Sequence, residues 1–377
     1  MTASQADIVA MIARLVGFDT TSRLSNLDLI HDVAGYLKEH GIESRLIHDD
    51  EGSKANLYAS VGPADVPGIV LSGHTDVVPV DGQDWKTDPF VLVRHDGALY
   101  GRGTADMKSF IAIALALVPE MKAAGLKKPL HFALSYDEEV GCLGVRGMIR
   151  RIEEIDPKPA IVIVGEPTSM KVVNAHKGVY AFRTRVHGLE AHSSATDQGV
   201  NAIMYAAELI GFLHRLAREM ADRRQAHSRF DPPYTSVHVG TVKGGTALNI
   251  IPKECSFVWE YRLLPGEDES EVIDRFRAFS NDEVLPRMRD GFEAAEIETE
   301  VVGRVAALMP EENSPAETLV LRLANSNETD AVSYGTEAGL FQEAEMPAVV
   351  CGPGDIADAH KPDEFIRLEQ VDACAAF

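Results

Sequence analysis

Val66-Pro67-Gly68-Ile69-Val70-Leu71-Ser72-Gly73-His74-Thr75-Asp76-Val77-Val78-Pro79 is the stretch on which the fold reading turns. A mainly apolar run, Val66 to Leu71, passes through Ser72-Gly73 and then presents His74 and Asp76, two residues apart. In a strand that spacing puts both side chains on one face. It also puts them at the strand's C-terminal end, where α/β enzymes keep their chemistry. A lone His-x-Asp is a weak signal. It gains weight because Asp106, the pair Glu138 and Glu139, Glu166 and His360 each follow an apolar or glycine-rich element in the same way. Repeated strand-end carboxylates and imidazoles are not the pattern of a solvated surface.

Outward from this stretch, helical spacing covers residues 5–16 and 26–40, with Gly41 as a C-terminal cap. Residues 55–61 read as a strand and 80–89 as a polar loop. Tyr100-Gly101-Arg102-Gly103-Thr104-Ala105-Asp106 is glycine-rich, and a helix is expected from Lys108 to about Ala124. A strand over 131–136 delivers Asp137-Glu138-Glu139, a helix spans about 143–153, and a strand over 160–164 delivers Glu166. Strands alternating with helices at this spacing predict an α/β catalytic domain, a mostly parallel sheet with helices on both faces. The pattern changes near Lys177. Alternating strands at 179–186, 235–243 and 254–263, helices at 199–220 and 270–288, and an extended segment at 296–303 give a β-α-β-β-α-β order. That order suits a separate α+β domain. The α/β pattern returns with a helix over 314–324, a strand over 347–351 and a helix from Glu364. The expected domains are therefore 1–177 with 304–377, and an inserted 178–303.

Composition narrows the function. Thirty-six basic and fifty-eight acidic residues leave a net charge of −22, which argues against nucleic acid or an anionic membrane as partner. The four cysteines are scattered, with no C-x-x-C pair, so neither a disulfide framework nor a zinc ribbon is expected. The N-terminus lacks the basic segment and long apolar run of a signal peptide, and the strongest apolar stretch, 110–118, is too short to span a bilayer. A cytoplasmic protein is the expectation. A Rossmann dehydrogenase is excluded, because Gly101-x-Gly103 lacks the third glycine of the dinucleotide fingerprint.

Zinc accepts imidazole and carboxylate ligands. Two histidines and three carboxylates can serve two ions only if one carboxylate bridges, and Asp106, on its glycine-rich approach, is the best bridge. Adjacent Glu138 and Glu139 diverge from an extended chain, so one can bind metal while the other takes a proton from the attacking water. The plain alternative for Asp137-Glu138-Glu139 is a helix N-terminus with favourable dipole placement. Asp76 is placed to fix the tautomer of His74 from behind.

Ser72-Gly73-His74-Thr75-Asp76-Val77-Val78-Pro79, Gly101-Arg102-Gly103-Thr104-Ala105-Asp106-Met107-Lys108, Asp137-Glu138-Glu139 and Gly165-Glu166-Pro167-Thr168 resemble the signatures of the M20 family of metallopeptidases and deacylases. The likeness runs along essentially the whole chain. It implies a catalytic α/β domain with an inserted lid that forms a homodimer contact. It implies one zinc held by His74, Asp106 and Glu166, a second held by Asp106, Glu139 and His360, and Glu138 as general base. Cobalt or manganese would fit the same donors. Asn174-Ala175-His176-Lys177-Gly178, Glu190-Ala191-His192-Ser193-Ser194, and Cys351-Gly352-Pro353-Gly354 running to Ala359-His360-Lys361-Pro362-Asp363-Glu364 are most similar to members that deacylate N-acyl amino acids. The helix that ends at Phe377 is several residues shorter than the likeness implies.

By the same resemblance, His192 reaches the partner subunit's site and donates to the oxyanion, where a preorganised donor contributes most. Without it, a capping or surface histidine is the plain reading. Asn249 and Arg262 are candidate substrate contacts, Arg262 by bidentate pairing with an α-carboxylate. The alternative for Arg262 is a tie to Glu260 on its own strand face. Arg102 and Lys108 are read as shaping the loop around Asp106. A non-enzymatic relative would have lost a ligand or Glu138, and none is missing. A dipeptidase or tripeptidase of the family stays open.

Overall fold

The computed structural model describes residues 3–155 and 157–377. The chain divides into two compact units: Met1–Ala175 with Leu308–Ala331 and Thr336–Phe377, and His176–Ala307 with Val332–Gly335. An eight-stranded sheet organises the first. Its four central strands, Leu130–Ser135, Ile69–His74, Ile161–Val164 and Ala348–Val350, run parallel in that order. Ala55–Val61 and Ser44–His48 follow on one side, each antiparallel to its inner neighbour, and Val173–His176, antiparallel to Ala348–Val350, then Asp330–Val332 on the other.

The central strands read as unbroken apolar runs because both of their faces are buried. Leu57, Phe132, Leu71, Ile163 and Val349 pack with the helices Gln5–Val16, Lys108–Ala116, Pro315–Leu323 and Leu368–Ala376. Val70, Val162 and Val350 point the other way and are equally buried. On that side the helix Val145–Glu153 meets the strands Ala55–Val61 and Leu130–Ser135, and Ala338–Glu343 meets Ile161–Val164 and Ala348–Val350. Every residue of Lys108–Ala116 is buried. That is why this helix is apolar all round rather than amphipathic. Among the described residues no helix is long and apolar enough to cross a membrane.

In the second unit Gly178–His187 lies between Glu254–Leu263 and Glu296–Val305, with Ser236–Gly244 on the outer edge, all antiparallel. Strict alternation along Glu254–Leu263 turns Cys255, Phe257, Trp259, Tyr261 and Leu263 inward. There Trp259 stacks on Phe182 at 4.6 Å and meets Phe276 at 4.7 Å. The helix Ala202–Asp222 packs with this core, its first turn capped by the Asn201 side chain.

Three expectations need correction. The helix from Lys108 divides into Lys108–Ala116 and Val118–Ala123, because Pro119 has no N–H for the ladder. The helix expected over 270–288 becomes Glu271–Ala278, a π turn Phe279–Val284 and Leu285–Gly291, the wide turn lying just ahead of Pro286. Glu364 does not begin a helix. Phe365–Arg367 pairs antiparallel with Ala98–Tyr100, and the helix starts at Leu368.

Candidate active site

Parallel strands bring their C-terminal ends to one edge of the sheet. His74 ends one strand, Glu138 and Glu139 follow Ser135 on its neighbour, and Glu166 follows Val164 on the other side. The close approach of Gly352 to the Gly165–Glu166 backbone fixes the position of Glu166. A Cβ at position 352 would lie 2.0 Å from the Gly165 carbonyl oxygen and 2.6 Å from that of Glu166. Backbone cannot yield as a side chain does, so Gly352→Ala is expected to destabilise the fold by about 1–3 kcal/mol. A denaturant midpoint equal to that of the wild type would show that this packing is not what holds Glu166.

Asp106 faces two imidazoles. Its Oδ1 lies 2.8 Å from His74 Nε2 and its Oδ2 3.1 Å from His360 Nε2. Glu166 Oε1 is 3.7 Å from His74 Nε2, and Glu139 Oε1 is 3.1 Å from His360 Nε2. His74, Asp106 and Glu139, and separately His74, Glu138 and Glu166, each place one donor atom apiece within 4.8 Å of one another. These five expected ligands and Glu138 thus converge, all within the first unit. Their chemistry fits divalent cations: imidazole nitrogens among buried carboxylates, with Glu166 Oε1 buried and without a hydrogen-bond partner.

The electrostatics point the same way. Burial opposes charge on His74, but the hydrogen-bonded Asp106 carboxylate and the nearby carboxylates of Asp76 and Glu166 hold its pKa well above the ordinary value. Burial raises Glu138, and Glu139, Asp106 and Glu337 add to this against His74, pushing it up to about 8. Burial, then Asp106, raises Glu166 well above the usual carboxylate range. Asp106 and Glu139 raise His360 to about 10. Carboxylates this crowded call for positive charge among them.

Asp76 meets His74 through its backbone as well as its carboxylate. The closer partner of His74 Nδ1 is the Asp76 backbone carbonyl, at 2.9 Å, with the Asp76 carboxylate 3.6 Å away. A carbonyl can only accept, so Nδ1 donates to it, while Nε2 faces the Asp106 carboxylate. The Asp76 carboxylate accepts from Ser22 Oγ and from the backbone N–H groups of Glu138 and Glu139, at 2.7, 3.0 and 3.3 Å. It therefore holds the loop that carries both glutamates.

Two residues of this site escape sequence reasoning. Glu337 is buried behind it, accepting hydrogen bonds from Ser135 and, at 3.0 Å, from Ser72. Its only local signal is an acid just ahead of an apolar run. The buried Cys142 thiol donates to Glu138 Oε1 at 3.2 Å, four residues on in a tight turn. Arg102 and Lys108, on either side of Asp106, are both fully buried. The Arg102 guanidinium meets Glu364 at 2.5 Å, and Lys108 Nζ donates to the carbonyls of Leu15 and Phe18.

The remaining candidates belong to the second unit. His192 is exposed in a two-residue strand paired with Ile250–Ile251, and the Ser193 N–H donates to the Asn249 carbonyl. His192 and Asn249 are thus held side by side. The Arg262 guanidinium is engaged by Glu260, at 2.9 and 3.2 Å.

A sequence profile of Peptidase family M20/M25/M40 matches residues 70–377. The acetylornithine deacetylase of Myxococcus xanthus is 36% identical over 375 residues, covering 97% of this chain and 94% of that protein. An M20 family metallo-carboxypeptidase from Sulfolobus solfataricus shares the fold with a TM-score of 0.73 at 17% identity, over 98% of this chain and 97% of that one. A dinuclear metal-binding peptidase of the M20 family from Bacillus subtilis does so with a TM-score of 0.63 at 16% identity, over 99% and 96%.

Proposed function

The chain belongs to peptidase family M20/M25/M40, metal-dependent hydrolases of amide bonds, and from that premise we propose that it is an acetylornithine deacetylase. It would hydrolyse N-acetyl-L-ornithine to L-ornithine and acetate, a step of arginine biosynthesis in the cytoplasm. The observation that carries this reading is the convergence of two imidazoles and four carboxylates at one sheet edge, in a chain alike to a deacetylase over nearly its whole length.

His74, Asp106 and Glu166 would hold one ion, and Asp106, Glu139 and His360 a second, with Asp106 shared. Zinc ions bound there (or cobalt or manganese) would supply Lewis acidity to the amide carbonyl and to water. Glu138 accepts the proton of the attacking water and returns it to the departing amine. Burial and the neighbouring acids raise its carboxyl above the usual range, the direction that favours taking up a proton. Cys142 and the Asp76 clamp keep that carboxylate in place. His192, delivered by the partner of a homodimer built through the second unit, donates to the oxyanion. Asn249 contacts the substrate, and Arg262 takes its α-carboxylate by exchanging it for Glu260.

Turnover of acetylornithine, succinyl-diaminopimelate, acetylcitrulline and a dipeptide by the purified protein tests the substrate assignment. Preference for any but the first overturns it. The metal assignment predicts about two ions per chain by elemental analysis of protein purified without chelator. A metal-loaded crystal structure in which Asp106 touches neither ion would remove the bridge.

A further inference from the structure

The loop 80–89, read from sequence only as polar, grips the segment that carries His360. Gln83 Nε2 donates to the His360 carbonyl at 3.1 Å. The Lys86 backbone N–H donates to Asp363 Oδ1 at 3.0 Å, and Lys86 Nζ pairs with Asp363 Oδ2 at 2.9 Å. This grip has work to do, because His360 has φ 63 and Asp363 φ 56, in the left-handed region that residues with a Cβ seldom adopt.

Gln83 also faces inward. Its Oε1 accepts from Arg102 Nη2 at 2.6 Å and from Trp85 Nε1 at 3.0 Å. The other arm of the buried Arg102 guanidinium meets Glu364 Oε2, and Glu364 Oε1 accepts from the N–H groups of Ala105 and Asp106, at 2.9 and 3.2 Å. One chain of hydrogen bonds therefore runs from the backbone of Asp106 through Glu364, Arg102 and Gln83 to the backbone of His360.

We propose that Gln83 is a positioning residue for the metal position formed by His360, Glu139 and Asp106, fixing the distance between the His360 ring and the Asp106 carboxylate. This rests on the metal-pair reading above. Outer partners of this kind set ligand geometry, and their loss weakens metal affinity by about 10–100-fold. The position shared by His74, Asp106 and Glu166 is served by other contacts, the Asp76 carbonyl and the sheet edge, and should not depend on Gln83.

Substituting Glu364 would orphan a buried arginine, which is strongly destabilising. The test therefore uses Gln83, at the half-buried end of the chain. Co2+ is titrated calorimetrically into the metal-free full chain as wild type, Gln83→Leu, Gln83→Glu and His360→Ala, beside thermal melts of each metal-free protein. Gln83→Glu keeps the acceptor for Arg102 and Trp85 and turns the donor to the His360 carbonyl into a charged acceptor. The expected result is that both Gln83 variants weaken, by about 10–100-fold, the binding step that His360→Ala abolishes. The other step and the metal-free melts should stay unchanged. Two wild-type steps left unaltered by Gln83→Leu overturn the inference. So does weakening of both steps together with a lowered melt, which marks a merely structural role. Fewer than two steps in the wild type overturn the metal-pair reading itself.

Discussion

Glu138→Gln is expected to lower turnover by about 10² to 10⁴ while leaving metal content unchanged. The substitution keeps the side chain's volume and one carbonyl oxygen and removes the proton acceptor. The two glutamates differ in their surroundings. Glu139 Oε1 lies 3.1 Å from His360 Nε2, whereas Glu138, also within reach of His74 and Glu166, has its Oε1 held by the Cys142 thiol at 3.2 Å. Glu139→Gln should accordingly weaken one metal position. Elemental analysis and single-turnover rates on both variants decide the matter. If the Glu138 variant loses metal and the Glu139 variant keeps it, the two roles are reversed.

His192→Ala is expected to cost about 10² to 10³ in turnover with both metals retained. The Ser194 N–H donates to His192 Nδ1 at 3.2 Å, and Nδ1 also lies 2.8 Å from Ser194 Oγ. A ring that accepts at Nδ1 carries its proton on Nε2, ready to donate to a developing oxyanion. The stronger test mixes His192→Ala with Glu138→Gln and lets subunits exchange. If His192 serves the partner's site, one site of the mixed dimer bears both lesions and the other bears none. Activity then returns toward half the wild-type value. Exchange confirmed by mass without recovered activity would end the two-subunit proposal.

The parallel centre of the sheet and the convergence of strand-end acids and imidazoles are legible because each is written locally. An apolar run announces the strand, and the residue after it announces the site. The three-residue strands Val93–His95, Ala98–Tyr100 and Phe365–Arg367 are too short to show alternation, so the sequence from Glu364 reads as a helix start. Glu337, Glu364 and Gln83 were illegible for another reason. Their partners Ser72, Arg102 and His360 lie 262 to 277 residues away in the chain, and nothing in local periodicity records such a bond. The strand-bound alternative for Arg262 was visible in the two-residue spacing of Glu260 and Arg262, and the Glu260–Arg262 pair is present.

Four carboxyls, Glu138, Glu139, Glu166 and Glu337, gather at the edge of a single sheet, each raised by burial and by acidic neighbours. Their mutual repulsion works against the native state, and any cation that settles among them relieves it only when the chain is folded. Loading and folding then share one equilibrium. A cation present at about 100 times its dissociation constant adds about 2.7 kcal/mol to stability, a sizeable fraction of what holds a typical domain together. The supply of metal would thus govern how long the molecule survives as well as how fast it turns over.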